Sequence, residues 1–161
     1  MEKQIKLHHS VTELGNIQVR QVTEYIDGEE IDKIYGDPYT PEDVNNLNGW
    51  DDKTKDIVAV IIKPKVKAEF EAEKQIKTGI GLEKIVTYDR VIDEEGRISV
   101  RRITRLFDDG VEVSKKYHRS WIMPGDDPKD ADVISKALAK GLHTVEVVKA
   151  YKDKMAALKN K

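Results

Sequence analysis

The 161 residues include no cysteine. That excludes a disulfide framework, a thiolate nucleophile and any zinc or iron–sulfur site built on sulfur ligands. Neither sign of charge dominates, with 28 Lys+Arg against 30 Asp+Glu and a formal net charge of -2, so nothing draws the whole molecule to nucleic acid or to an anionic membrane. No apolar run approaches the ~20 residues that a spanning helix requires. The opening Met1-Glu2-Lys3-Gln4 is polar where a signal peptide is expected to be apolar. Aromatic residues are few, at 6%. What is present, 39% hydrophobic and 36% charged side chains, is the composition of a globular protein of the cytosol or of a virion.

The most informative feature is an internal match at an offset of 81. Glu2-Lys3 falls on Glu83-Lys84, Gly15 on Gly96, Ile17 on Ile98, Val19-Arg20 on Val100-Arg101, Thr23 on Thr104 and Asp27 on Asp108. Eight identities within the first 27 positions exceed what random composition would give. After a one-residue insertion Gly28 meets Gly110 and Tyr35 meets Tyr117, and the original offset returns where Val66 falls on Val147 and Phe70 on Tyr151. The chain therefore reads as a tandem duplication with copies at 1–81 and 82–161. A lone unit near 80 residues supplies only ~3 to 5 kcal/mol of net stability, so the copies are expected to pack on each other or on partner chains.

Each copy is expected to hold a three-stranded antiparallel β-meander followed by one or two helices, an α+β fold. The first strands are Ile5 to Val11 and Ile85 to Val91; the second are Ile17 to Ile26 and Ile98 to Phe107. The third are Ile31 to Tyr35 and Val111 to Trp121. Asp27-Gly28 and Asp109-Gly110 between the second and third strands are hairpin signals of the type I′ kind. The apolar phase slips within the second strand, since Ile98 and Val100 share one face and Ile103 and Phe107 the other. That slip implies either a bulge near Arg20 and Arg101 or a sheet covered on both sides.

A helix is expected from Ala131 to Lys140, capped by Asp130 or Asp127 and ended by Gly141. A second starts after Thr144 and carries Val147, Val148, Tyr151, Met155 and Leu158 on one stripe. In the first copy Pro64 sits at a first helical position. The β-branched run Ile57 to Ile62 leaves helix and strand both open.

The candidate chemistry centres on Tyr117-His118-Arg119-Ser120-Trp121. Strand alternation separates His118 from Arg119 and gathers Tyr117, Arg119 and Trp121 on one face. That mixture suits a protein hot spot or the stacking of a base or sugar, and equally suits ordinary cross-strand packing with arginine on the rings. The acidic stretch Asp126, Asp127, Asp130 and Asp132 lacks the ligand pattern of a calcium loop and reads as helix capping. His8-His9 points two ways along a strand and has no second ligand at helical spacing, so no metal is expected. Lys77-Thr78-Gly79 lacks the order of a phosphate loop. Lys149, Lys152, Lys154, Lys159 and Lys161 read as a solvated helix face. No catalytic residues and no cofactor are expected.

The second half resembles a type of small uncharacterised protein of tailed bacteriophages. The resemblance rests on Tyr117-His118-Arg119, then Pro124-Gly125-Asp126-Asp127, then Thr144-x-Glu146-Val147 with Tyr151 one turn on. Val145 stands where those proteins usually have proline, and the first half keeps Pro64 but has no His-Arg pair. The resemblance implies a phage setting, in virion or host cytoplasm, and no catalytic role. The expected function is a non-enzymatic virion, tail or assembly protein that contacts other phage proteins or itself, with neither membrane nor nucleic acid as partner. The alternative is a small host-takeover or anti-defence protein that sequesters a ligand or inhibits a host enzyme through Tyr117, Arg119 and Trp121.

Overall fold

The computed structural model describes residues 2–27, 30–41, 44–73, 77–78 and 81–159. The fold is α+β, one antiparallel sheet with four helices. The alternating β-branched segments form β1 (Glu2–Val11), β2 (Ile17–Asp27) and β3 (Glu30–Tyr39). A two-residue β4 (Lys77–Thr78) precedes β5 (Leu82–Ile92), β6 (Ile98–Asp108) and β7 (Val111–Ile122). The six long strands lie in the order β3-β2-β1-β5-β6-β7, and β4 pairs with the start of β5. The β6–β7 turn is the expected one, with Asp109 at φ 46 and Gly110 at φ 80, the two positive angles of a type I′ turn. The corresponding signal at Asp27-Gly28 lies partly outside the described residues.

The sheet is joined at its middle by a short ladder. His9 faces Ile92, Ser10 faces Val91 and Val11 faces Arg90. Each of these pairs is reciprocal under a shift of 81 positions, since Ser10 shifts onto Val91, His9 onto Arg90 and Val11 onto Ile92. The flanking ladders obey the same shift: Val11 faces Ile17 and Ile92 faces Ile98, while Val19 faces Tyr39 and Val100 faces Ser120.

The phase slip in the second strands is two-sided burial. Ile17 and Val19 point with His9 and Val11 to one face, whereas Val22, fully buried, points to the other between Lys6 and Tyr35. Ile98 and Val100 likewise oppose Ile103. Register irregularities do occur, but the extra residue belongs to the third strand. It lies between Tyr35 and Pro38 opposite Arg20–Val22, and at Val113 opposite Leu106–Phe107. The second irregularity is thus five residues from Arg101, where the apolar pattern had pointed.

The helices are α1 (Asp52–Ile61), α2 (Pro64–Glu73), α3 (Val133–Leu142) and α4 (Val145–Lys159). The Ile57–Ile62 run is helical despite its β-branched content, because a cap starts it and burial holds it. Asp51 accepts from the Thr54 amide at 3.0 Å, and Ile57 and Val58 enter the core. In α3 the cap is Asp132 rather than Asp127 or Asp130, accepting from the Ser135 amide at 3.1 Å. Gly141 does not end that helix, which continues to Leu142 with His143 as its C-cap. Its role is close packing, for a Cβ there would lie 2.3 Å from Val60 Cγ2 of α1. Val60 and Gly141 are again 81 positions apart. Thr144 Oγ1 accepts from the Val147 amide at 3.3 Å and opens α4. No helix of the described residues is long and apolar enough to cross a membrane.

The core is aliphatic and lies between α1 and α3 and one face of the sheet. It unites Val11, Ile17 and Val19 with Ile92, Ile98 and Val100, under Ile57, Val58, Ile134 and Leu138. Two buried polar networks pin the helix starts to the strands. Arg90, fully buried, donates to the Asp132 carboxylate, to Tyr88 O at 2.8 Å and to Thr12 O at 3.3 Å. Eighty-one positions earlier, His9 Nε2 lies 3.0 Å from Asp51 Oδ1 and is its donor, because a carboxylate only accepts. His9 Nδ1 is buried and, among the described residues, without a partner. The turn carbonyl that corresponds to Thr12 O is Asp93 O, and it accepts from Lys53 of α1. One guanidinium on one side thus does what an imidazole and an ammonium share on the other.

Candidate functional site: the uncovered sheet face

Helices cover one face of the sheet, and strand alternation sends a different set of side chains to the other. On β7 the uncovered set is Lys115, Tyr117, Arg119 and Trp121, facing Arg105, Ile103, Arg101 and Ser99 of β6. Tyr117, Arg119 and Trp121 therefore share one face, and His118 points to the helix-bearing side opposite Arg102. Tyr117 and Trp121 remain 58% and 49% exposed, large rings that the fold itself does not bury. Both carry cations. Arg101 lies 5.4 Å and Lys115 5.6 Å from the Tyr117 ring centre, and Arg97 lies 5.8 Å from that of Trp121. Such contacts hold rings flat and are worth only ~0.5 to 1 kcal/mol at exposed sites.

Where β1 meets β5, the uncovered face forms a shallow concavity of about 380 Å3. A row of small neutral groups crosses it in ladder order: Gln18, Ser10, Val91 and Ser99. Arg20 lies at one end, beside His8 and Tyr35, whose rings meet edge-on at 6.0 Å. Arg101 and Arg119 lie at the other end. Asp89 pairs with Arg101 and also accepts from the Glu13 amide at 3.1 Å. Among the described residues neither Arg20 nor Arg119 has a carboxylate partner. Three guanidinium groups against one carboxylate make this a local positive field on a chain whose net charge is negative.

The chain matches no family model, no curated protein and no solved structure.

Farther out on the same face, Glu24 is 4% exposed and held between Lys33 at 2.8 Å and Lys6 at 2.9 Å. Hydrogen bonds from Lys33 and Lys6 outweigh burial and hold its carboxyl pKa down at about 2. Glu13 plays a similar part in the other half, 3.0 Å from Arg105 and accepting from Thr87 Oγ1. These pairs fix the neighbouring strands and leave the concavity as the place where positive charge is unspent.

The remaining expected features fall elsewhere. His8 and His9 occupy opposite faces, and among the described residues no group of three His, Asp or Glu side chains is placed to hold a metal ion. Asp126 Oδ2 accepts from the Met123 amide at 2.9 Å and Asp132 caps α3, which is turn and cap chemistry. In the basic tail Lys149 pairs with Asp153 at 2.6 Å and Lys154 with Glu95, while Lys161 lies outside the described residues. Sequence reasoning missed Arg20, Arg101, Tyr35 and Ser10 as site residues. The signal was available for Arg20 and Arg101: they are an identical pair at the 81-residue offset, each two residues from a neutral polar side chain, Gln18 or Ser99, on the same strand face.

Proposed function

We propose that the chain is a non-enzymatic phage protein, a virion or tail component or an assembly factor, that works by laying its uncovered sheet face on another protein. The observation that carries this reading is the half-exposed Tyr117 and Trp121 on a flat face with Arg119 between them, since aromatic and arginine side chains supply most interface energy. The phage setting rests on the resemblance described above.

The same reading takes the chain as two diverged copies, 1–81 and 82–161, each a three-stranded meander with two helices. Its support is the recurrence at 81 positions of the α1 and α3 bounds, the α2 and α4 starts, ladder registers and both caps, including residues with no sequence identity such as His9 and Arg90. The reciprocal β1–β5 ladder has the form of a two-fold dimer contact, now made within one chain.

The host-takeover alternative, ligand capture by the Tyr117, Arg119 and Trp121 set, is favoured by the concavity alone. Only Arg119 of the three lines it. A photo-crosslinking residue placed at Tyr117, compared with one at Lys129 on the helix side, separates the readings. Adducts with a particle protein or a second copy at Tyr117, and none at Lys129, are expected. Crosslinking to a nucleotide or host enzyme would favour the alternative, and no adduct at Tyr117 would contradict both.

A further inference from the structure

We propose that the concavity over the β1–β5 junction receives an extended acidic segment of the partner protein, with carboxylates at its two ends engaged by Arg20 and by the Arg101–Arg119 pair. This rests on the interaction reading above and names the partner's chemistry. Arg20 on β2 and Arg101 on β6 are three strand spacings apart across the sheet and four residues apart along it. That places their Cα atoms roughly 20 Å apart, a span that two long side chains reaching inward shorten to a few residues of extended peptide. Between the two ends the floor is neutral: Ser10, Gln18 and Ser99 offer hydrogen bonds, and Val91, 44% exposed, offers an apolar seat.

Charge placed only at the ends separates this from a nucleic-acid site. A phosphate backbone carries charge at every step and would meet neutral groups, and Asp89, over most of the concavity. The nearby rings are also engaged, with Arg101 and Lys115 on Tyr117 and Arg97 on Trp121, which leaves less free ring surface for bases than a stacking platform requires. Arginine forks match carboxylates in two-point geometry, and among the described residues Arg20 and Arg119 have no such partner.

The test is fluorescence anisotropy with the full chain and labelled peptides. Each peptide bears two glutamates separated by roughly three to six alternating serines and valines, a series that brackets the span. Saturable binding with one preferred spacing is expected, abolished when both glutamates are glutamine. Arg20→Ala and Arg119→Ala should each weaken it about tenfold, whereas Lys149→Ala on α4 should leave it unchanged. Circular dichroism of each variant checks that it is folded. Absence of saturable binding across the series, or binding indifferent to both arginine variants, would overturn the proposal. So would a thymidine oligonucleotide that binds more tightly than every peptide. If no peptide binds while substitutions at Tyr117 and Trp121 still prevent assembly, the interaction face stands and only its acidic partner is lost.

Discussion

His9 and Arg90 lie 81 positions apart at corresponding helix caps and are held differently. Arg90 donates to the Asp132 carboxylate and to two backbone carbonyls, whereas His9 is buried with Nδ1 unpartnered among the described residues. Burial lowers the His9 pKa below its usual 6.5, and the Asp51 carboxylate only partly opposes this. The unfolded chain therefore takes up a proton at a pH where the folded chain resists it, so stability falls as pH drops below about 6.5. Glu24 adds a second acid step. Its folded pKa of about 2 lies below the usual 4.5, so its contribution is present above 4.5 and lost between there and about 2. Urea denaturation followed across pH should show both windows. His9→Gln should flatten the upper one and Glu24→Gln the lower; unchanged profiles would contradict these assignments.

At the scale of elements, β-branched alternation, the Asp-Gly hairpin and the Pro64 and Thr144 helix starts made the strands and two helices legible in sequence. The α1 helix was ambiguous because Ile57 to Ile62 carries a strand composition, and only the Asp51 cap and the surrounding core decide it. The cap of α3 was misplaced because four aspartates compete within seven residues, and capping geometry, not composition, selects Asp132. Gly141 was read as a stop because glycine often ends helices; its use here is to let α1 and α3 approach, which no local pattern reveals. Gly141→Ala should therefore destabilise the fold by about 1 to 3 kcal/mol through overpacking, despite alanine's better helix propensity. Adding Val60→Ala should recover part of that loss in the same denaturation measurement. A stabilising Gly141→Ala would show that the helices do not meet there.

For the whole molecule, the decisive arrangement is a sheet with helices on one side and exposed rings and arginines on the other. The face could be anticipated in part: Tyr117, Arg119 and Trp121 alternate along one strand, and period-two geometry puts them together. The concavity could not, because its ends come from strands eighty residues apart that meet only through the reciprocal β1–β5 ladder. Arg20 and Arg101, 81 positions apart, reach this face from opposite sides of that ladder, and Arg119 of β7 adds the third guanidinium. If this face docks on protein, negative charge placed on it should block assembly without unfolding the chain, because Tyr117 and Trp121 lie outside the core. The most direct measurement is the fraction of Tyr117→Glu/Trp121→Glu protein that co-sediments with assembled particles, compared with Lys129→Glu/Lys152→Glu on the helix side. Retention of the native melting curve with loss from the particles for the first pair, and normal incorporation for the second, is the expected result. Incorporation of the first pair at the unsubstituted level would contradict the account.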